Sequence, residues 1–399
     1  MKKFSALCLL FLTFLQLYAE GGVVFKYKQK KGDSYNHTST IQEEAYFNGI
    51  LNNKTQIINR TTTTVKNTLS DGTATLYTHY MTTENYLLAM SGRTLNWGEE
   101  ADVTIKRTPL GKMFDSDNRF LPTVRGVPGF IDKEIKIGES WTAQGMEVHD
   151  LRELFNMTNA IEIPFTAKYT YKGDEEINGE TLNIIDCYYD LLDRPFKNQN
   201  INSTYAGTTG YAQQKIYWNN EKGEIDHYTE NFEIKFKDIR GNSYIFCSTA
   251  HGEVLEYHSV NDDETLLAIQ ESVKDLENIS VKKGERGLTI SLDNIQFEPD
   301  SNRLMESEII KLQKLAEILK DYSNDLLVTG HCALRGTEKA RQILSEERAD
   351  TVAQYLIHNK VRDEYHIFTQ GKGAREPIAS NDTEEGRSKN RRVEITLMD

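Results

Sequence analysis

Residues 326–358 read LLVTGHCALRGTEKARQILSEERADTVAQYLIH. The short apolar run at 326–331 predicts a buried strand, and the part from 337 to 358 predicts a long helix. Working outward, similar patterns predict strands at 288–296, 365–370 and 391–397 and a helix at 303–321. This β-α-β-α-β-β order predicts an α+β sandwich, with helices packed against one sheet.

The chain upstream of about residue 260 has a different periodicity. Phe232, Ile234 and Phe236 alternate with charged residues, a pattern typical of half-buried strands. Turn sequences lie between strand-like runs at Asp71-Gly72, Asn178-Gly179, Lys222-Gly223 and Arg240-Gly241-Asn242. We therefore predict mainly antiparallel β structure from about 22 to 258. The exception is one short helix, which helical spacing of apolar residues predicts over 146–156.

A short motif occurs twice in this β-rich region. Lys31-Gly32-Asp33-Ser34-Tyr35 is echoed by Ile137-Gly138-Glu139-Ser140-Trp141, and a predicted hairpin follows each copy at a similar distance. The echo predicts a duplicated β-unit. Chance is the alternative, because Gly-acid-Ser-aromatic is common turn chemistry before a strand. The predicted organisation is a β-unit over 20–130, a second over 131–260, a linker over 261–284 with a helix at 262–280, and a C-terminal domain over 285–399.

The first residues predict export. Lys2 and Lys3 precede an apolar run at 4–15 and a small-residue cleavage site ending at Ala19, so we expect a signal peptide over 1–19. An uncleaved anchor is disfavoured because the apolar run is shorter than the roughly 20 residues that cross a bilayer. Once this signal peptide is cleaved, no transmembrane span is expected. Composition agrees with a folded, acidic protein: 38% of residues are hydrophobic and the formal charge is −13. That charge argues against binding to nucleic acid.

Three cysteines remain after the predicted cleavage. Cys187 and Cys247 both lie in strand-like runs, and in an oxidising compartment they are candidates for a disulfide, with two buried thiols as the alternative. Cys332 would then be a lone thiol. No zinc-ligand spacing, nucleophile elbow or phosphate loop occurs, so we predict no metal site, no cofactor and no enzymatic activity.

The C-terminal residues carry a resemblance. Gly330-His331, Arg335-Gly336-Thr337, Leu344-Ser345-x-x-Arg348-Ala349 and Asn390-Arg391-Arg392-Val393-Glu394-Ile395 follow one another in a specific order, after Asn294-Ile295-x-Phe297. In this order and spacing, the segment 294–398 resembles the OmpA-like domain of cell-envelope proteins. The resemblance implies non-covalent attachment to peptidoglycan, in the periplasm or at the outer membrane.

In that family an aspartate and an arginine grip the ammonium and carboxylate of the stem peptide. The resemblance assigns the arginine to Arg348, with Leu344, Asn390, Arg391 and the loop acid Asp300 as further candidate contacts. Three positions depart from the family pattern. Cys332 replaces a threonine, Ala333 replaces the aspartate, and Arg341 replaces an asparagine. The ammonium would lack its main partner, so we expect weak binding or an altered stem-peptide specificity.

Two other functions are considered. The domain could be a divergent scaffold that has lost peptidoglycan binding and contacts other envelope proteins. Alternatively, residues 22–258 could cross the outer membrane as strands in a porin-like protein. That is disfavoured because membrane-facing strands need an apolar band of about 9–11 alternating residues, whereas the runs here are short and irregular. The ligand of the β-rich region is not predicted.

Overall fold

The chain forms two β-sheets that follow one another in sequence. The computed structural model describes residues 22–86, 95–96, 98–194, 203–256, 260–284, 286–297 and 304–398. Within these residues, one sheet has twelve strands and the other has six. The fold class is as predicted, an antiparallel β region followed by an α+β domain. The predicted signal peptide, residues 1–19, lies outside the described residues.

The elements before residue 260 are, in chain order, β1 (Ser34–Phe47), β2 (Ile50–Thr68), β3 (Ala74–Tyr86), β4 (Leu95–Asn96), β5 (Glu99–Arg107), β6 (Met113–Phe114), β7 (Val124–Arg125), β8 (Ser140–His149), α1 (Arg152–Phe155), β9 (Ile161–Ile177), β10 (Glu180–Asp193), β11 (Tyr205–Asn219), β12 (Glu224–Asp238) and β13 (Ser243–Glu256). All of the strands except β4 form one sheet in the order β6-β5-β3-β2-β1-β13-β12-β11-β10-β9-β8-β7. Because β13 pairs with β1, the sheet runs continuously through both predicted units.

The predicted hairpins are confirmed. Antiparallel pairing joins β2 to β3, β9 to β10, β11 to β12 and β12 to β13 across the four predicted turns. A further turn at Asn48-Gly49 joins β1 to β2, with φ of 50° and 81°. These left-handed values are the ones that a tight Asn-Gly hairpin turn requires.

The helix predicted over 146–156 is largely wrong. Residues 146–149 continue strand β8, where Met146 faces Pro164 of β9. Only the four residues Arg152–Phe155 are helical. The apolar spacing in this segment reflects a strand that alternates inward and outward before a single helical turn, and ladder pairing with β9 decides the strand.

Both copies of the repeated motif make the same backbone contacts. The Gly32 N–H donates to the Val65 carbonyl at 2.9 Å, and the Gly138 N–H donates to the Tyr171 carbonyl at 2.7 Å. The two glycines have φ of 94° and 86°, a region that L side chains rarely adopt. The first serine of each strand then pairs with a threonine of the next strand, Ser34 with Thr64 at 3.1 Å and Ser140 with Thr170 at 2.9 Å. The two units therefore begin with one local structure, offset by 106 residues.

The elements after residue 260 are α2 (Asp263–Val273), β14 (Ile279–Gly284), β15 (Gly287–Asp293), α3 (Glu306–Leu319), β16 (Leu326–Gly330), α4 (Glu338–His358), β17 (Ile367–Gly371), α5 (Glu384–Asn390) and β18 (Arg392–Met398). The second sheet has the order β14-β15-β18-β16-β17-β4. Helices α2, α3 and α4 bury their apolar faces against this sheet around Ile269, Leu315 and Val352. None of the described helices is both long enough and apolar enough to cross a membrane.

Two details of this domain differ from the prediction. The helix predicted over 262–280 covers only Asp263–Val273, and residues 279–284 form strand β14, which pairs with β15. Lys282 and Lys283 are exposed, as is typical of side chains on an edge strand. The short helix α5 was not predicted.

The two sheets contact one another through the outer face of β2. Arg60 forms an ion pair with Asp325 and donates to the Tyr365 carbonyl at 2.8 Å. Its guanidinium also lies 4.2 Å from the ring centroid of Phe368. Ile58, on the same face, packs with Leu327, Phe368 and other apolar residues. Backbone pairing of β4 with β17 adds residues from the N-terminal region to the second sheet.

The predicted disulfide between Cys187 and Cys247 is wrong. Both cysteines are free thiols. Cys187 is on β10 and Cys247 is on β13, so two strands, β11 and β12, separate them in the sheet. Neighbouring strands are about 4.8 Å apart, and a disulfide requires a Cα separation below about 7 Å.

Candidate functional site

The candidate site lies where β16 ends and α4 begins. Two glycines allow the helix to lie directly on the strand ends: a Cβ at Gly330 would come within 2.0 Å of the Ser345 carbonyl oxygen, and one at Gly371 within 2.6 Å of the Ser345 hydroxyl. That hydroxyl also accepts from the Gly373 N–H at 2.9 Å. These motif residues therefore fix the position of α4 relative to the sheet.

Helix α4 starts with a side-chain cap. The hydroxyl of Thr337 accepts from the Ala340 N–H at 3.2 Å, satisfying one of the free donors of the first turn. The buried face of the helix includes Ser345, Ala349 and Val352. Arg348 follows Ser345 by three residues, so it lies on the edge of this face and is half-buried. The helix thus holds a cation between the sheet and solvent.

Arg348 has an unusual environment for a cation. Its guanidinium carbon lies 4.7 Å from the ring centroid of Phe297. Its Nε atom is buried without a hydrogen-bond partner, and within the described residues no carboxylate forms an ion pair with it. Burial lowers the pKa of Arg348; Cys332 opposes this effect and Arg391 adds to it. The guanidinium is therefore partly desolvated and has no described counter-charge.

The positions that depart from the family pattern surround this cation. Cys332 and Ala333 are each 7% exposed. Burial raises the pKa of the Cys332 thiol, and the nearby Arg348 and Arg341 partly offset this. The thiol is thus a neutral group at neutral pH. Arg341 donates to the Gly336 carbonyl, and its Nε is also buried without a partner.

The predicted contacts Asn390 and Arg391 already have partners in the protein. The side-chain oxygen Oδ1 of Asn390 accepts from the backbone N–H groups of Ile378 and Ala379 at 2.9 and 3.0 Å. Its amide donates to the Ala379 carbonyl and to Asn381. Arg391 donates to Glu384 at 2.9 Å. Asn390 thus ties together the loop after β17, and Arg391 supplies a partly neutralised positive charge near Arg348.

Of the two remaining predicted contacts, Leu344 and Asp300, the structure describes only Leu344. Leu344 is half-buried on α4, one turn before Arg348. Asp300 lies outside the described residues. Phe297 was known from the sequence only as a motif residue, and its contact with Arg348 was not predicted. A signal for this contact was present, because Phe297 belongs to the same family pattern as Arg348.

An ionic network lies behind the site. His331 is 2% exposed, and its Nε2 lies 3.7 Å from Glu394 Oε2. Arg392 donates to the other oxygen of Glu394 at 2.9 Å. Burial alone would raise the pKa of Glu394, but His331 and Arg392 lower it to about 2. Glu394 is therefore ionised and already paired, so it is not a second acid for a ligand.

This α+β domain presents an arginine at the junction of strand and helix. Residues 296–391 match the model of the OmpA family, and the C-terminal domain belongs to that family. A probable lipoprotein of Escherichia coli, YiaD, is 38% identical over 121 residues, which cover 30% of this chain and 55% of YiaD. The peptidoglycan-binding protein ArfA of Mycobacterium tuberculosis is 39% identical over 104 residues, covering 26% of this chain and 32% of ArfA.

Among solved structures, an outer membrane protein from Borrelia burgdorferi B31 is 34% identical, with a TM-score of 0.26. The similarity covers 30% of this chain and 97% of that structure. The chain spans 55% of the length of YiaD and about a third of that of ArfA.

Proposed function

We propose that the protein is a non-enzymatic component of the cell envelope whose C-terminal domain docks non-covalently on peptidoglycan. Arg348 carries this proposal. A partly buried cation without a counter-charge is costly, and a ligand carboxylate over the guanidinium would offset that cost through charge-assisted hydrogen bonds. Stem peptides of peptidoglycan present free carboxylates. The similarity to ArfA, which is named as peptidoglycan-binding, supports the same function.

The specificity is proposed to be altered. A stem peptide with a zwitterionic group also presents an ammonium, and Ala333 offers it no acid. Arg341 adds a positive charge beside the site. Loss of one partner of a buried charge pair costs about 2–5 kcal/mol, so the site favours a carboxylate alone. Binding is then weaker than in relatives with the aspartate, or is directed to a stem peptide of different chemistry.

The cellular setting follows from the same relatives. YiaD is named as a probable lipoprotein, and the other proteins that resemble this domain include outer membrane proteins. We propose a periplasmic or outer-membrane-associated location, reached through the signal peptide predicted at 1–19. Other envelope proteins are proposed as partners, and nucleic acid is not, because the formal charge is −13.

A second function is favoured by the burial of Cys332 and Ala333. Each is 7% exposed, so small side chains fill the position of the family aspartate. The domain would then be a scaffold that has lost peptidoglycan binding and supports protein contacts. Arg348 supports peptidoglycan docking, and Ala333 supports the scaffold function.

Sedimentation with purified sacculi separates the two functions. The whole protein is incubated with sacculi from its own organism and with diaminopimelate-containing sacculi, and the bound fraction is measured. Four proteins are compared: the natural chain, Arg348→Ala, Ala333→Asp and Arg240→Ala. Arg240 is an exposed hairpin residue in the N-terminal region. It therefore controls for the loss of one positive charge.

Peptidoglycan docking predicts that the natural chain and Arg240→Ala sediment with sacculi and that Arg348→Ala does not. Ala333→Asp should bind diaminopimelate-containing sacculi more tightly, because it restores a partner for the ammonium. Absence of binding by the natural chain, with binding restored by Ala333→Asp, would refute docking and support the scaffold.

A further inference from the structure

The inner face of the first β-unit differs from that of the second. In β9 the inward residues include Phe165, Tyr169 and Tyr171, and these pack in a large aromatic core. With the offset of 106 residues, the equivalent positions in β2 are Asn59, Thr63 and Val65. The sheet backbone is repeated, but two of these three rings are replaced by short polar side chains.

A cavity of about 570 Å³ lies where those rings are missing. Residues of β1, β2 and β3 line it, together with residues of β11 and β12 and of the segment 121–128, which includes β7. Pockets for small molecules have volumes of roughly 300–1,000 Å³. The cavity is therefore large enough for a small ligand.

Hydroxyl and amide groups form part of the lining of this cavity. Thr63 and Thr78 share a hydrogen bond of 3.0 Å, and Thr82 donates to Asn59 at 2.8 Å. A hydroxyl has one donor and two lone pairs, so each of these threonines keeps acceptor capacity after its bond in the protein. Such a wall can bind the hydroxyl groups of a ligand.

Aromatic rings lie beside the hydroxyl groups. His37 stacks on Tyr228 with ring centroids 5.8 Å apart and an angle of 7° between the planes. Burial lowers the pKa of His37 to about 4, so its ring is neutral at neutral pH. Tyr35 and Tyr80 also line the cavity. Flat rings next to hydrogen-bonding groups suit a ligand with apolar C–H faces and hydroxyl edges.

The charges of the lining disfavour an anion. Four acidic side chains and two cations line the cavity, although burial raises the pKa of one of the acids, Glu230, to about 7. The Arg107 guanidinium is 3.9 Å from the Tyr27 ring centroid and donates to the Tyr35 hydroxyl at 3.1 Å. Lys28 donates to the Asn220 carbonyl at 2.8 Å. Both cations are thus engaged by the protein.

Aliphatic side chains such as Ile57, Leu76 and Ile216 also line the cavity, so an acyl chain is the alternative ligand. It would, however, remove water from the hydroxyl groups that line the cavity without replacing their hydrogen bonds, and this desolvation is unfavourable. We propose that the cavity binds a neutral or singly cationic sugar of one or two rings. The sugar rings stack on the aromatic groups, and the sugar hydroxyls bond to the threonines and Asn59.

Calorimetric titration of the whole protein tests this proposal. The probes are diacetylchitobiose and cellobiose as neutral sugars, glucosamine as a cationic sugar, glucuronate as an anionic sugar and decanoate as an acyl chain. Saturable binding of at least one neutral or cationic sugar is expected, with no binding of glucuronate or decanoate. Binding of decanoate or glucuronate alone, or of none of the probes, would overturn the proposal.

Variants localise the binding. Thr63→Tyr introduces the ring that the second unit has at Tyr169 and should abolish sugar binding. Thr75→Tyr, on the outer face of β3, is the matched control and should bind normally.

Thr78→Val keeps the side-chain shape and removes one hydroxyl, so the affinity should fall about 2-fold to 10-fold. This variant tests the proposal even if Thr63→Tyr does not fold. Unchanged affinity in Thr78→Val, or in a folded Thr63→Tyr, would overturn it. Arg348 is intact in every variant, so these results are independent of peptidoglycan docking.

Discussion

The two β-units start with the same local backbone structure, but the side chains on their inner faces differ. Each starts with a glycine at positive φ and a serine paired to a threonine, and each continues into the same antiparallel hairpin. In the second unit, aromatic side chains such as Tyr169 fill the interior, whereas Thr63 at the equivalent position borders a cavity. The comparison indicates that turn chemistry and strand pairing specify the sheet, while the interior can be used for packing or for a site.

Tyr169→Thr should give the largest loss of stability. Tyr169 is fully buried and stacks on Trp141 with centroids 5.3 Å apart. Removing such a ring leaves a void and costs about 3–5 kcal/mol. Thr63→Ala in the first β-unit should cost about 1 kcal/mol, for one hydrogen bond. Urea unfolding followed by near-UV circular dichroism measures both variants. Equal losses would mean that the first unit is packed as tightly as the second.

The outer faces of the two units also differ, and Arg60→Ala tests this difference. Arg60 binds the second sheet, whereas the equivalent Thr166 is exposed. Removing Arg60 leaves Asp325 without its partner at a partly buried interface, at an expected cost of about 2 kcal/mol, the lower end of the range for buried charge pairs. Limited proteolysis should then cleave between the two sheets faster. Thr166→Ala is the control, and similar proteolysis of both variants would contradict the interface.

Substitution of the two turn glycines should have equal effects. Gly32 and Gly138 have φ of 94° and 86°, and a Cβ would meet no atom within 4 Å at either position. Alanine should therefore cost only the backbone strain of the left-handed region, about 1–2 kcal/mol in each unit. Thermal unfolding of Gly32→Ala and Gly138→Ala checks this. Losses that differ several-fold would show that the units do not share this structural requirement.

The pH dependence of stability tests the cavity itself, because Glu230 of β12 lines it. Burial raises the pKa of Glu230 to about 7; Gln214 lowers it and Glu147 raises it further. The folded state then holds a proton that the unfolded state releases near pH 4.5. The resulting stabilisation is full below pH 4.5 and is lost as pH rises to 7.

Glu230→Gln removes this titration, so its stability relative to the natural protein should increase from pH 4.5 to 7. Chemical unfolding at several pH values measures the difference. Glu233→Gln, exposed on the outer face of the same strand, is the control. A difference between Glu230→Gln and the natural protein that does not change over this range would contradict the raised pKa.

Local sequence patterns predicted much of the fold. Turn residues such as Asn178-Gly179 located the hairpins because they determine backbone conformation where they occur. Periodicity predicted α4 and the strands of the C-terminal domain. The boundary between β8 and α1 was missed because pairing with β9 overrides local spacing.

Features that depend on strand order could not be predicted. The disulfide of Cys187 and Cys247 was wrong because the sequence does not give the two strands that separate them. The cavity was missed for a similar reason, since Thr63 and Thr78 become neighbours only through strand register. Within the candidate site, the family resemblance located Arg348. That no described carboxylate forms an ion pair with it became visible only in the three-dimensional structure.

Nitrogen-15 NMR of arginine side chains tests the central claim, that Arg348 binds a stem-peptide carboxylate. The Arg348 Nε–Hε signal is assigned by comparison with Arg348→Ala and followed as a soluble stem peptide is added. A saturable shift of this signal is predicted, and amidation of the peptide carboxylates should abolish it. An unchanged Arg348 signal at saturating peptide, with the protein folded, would contradict the account.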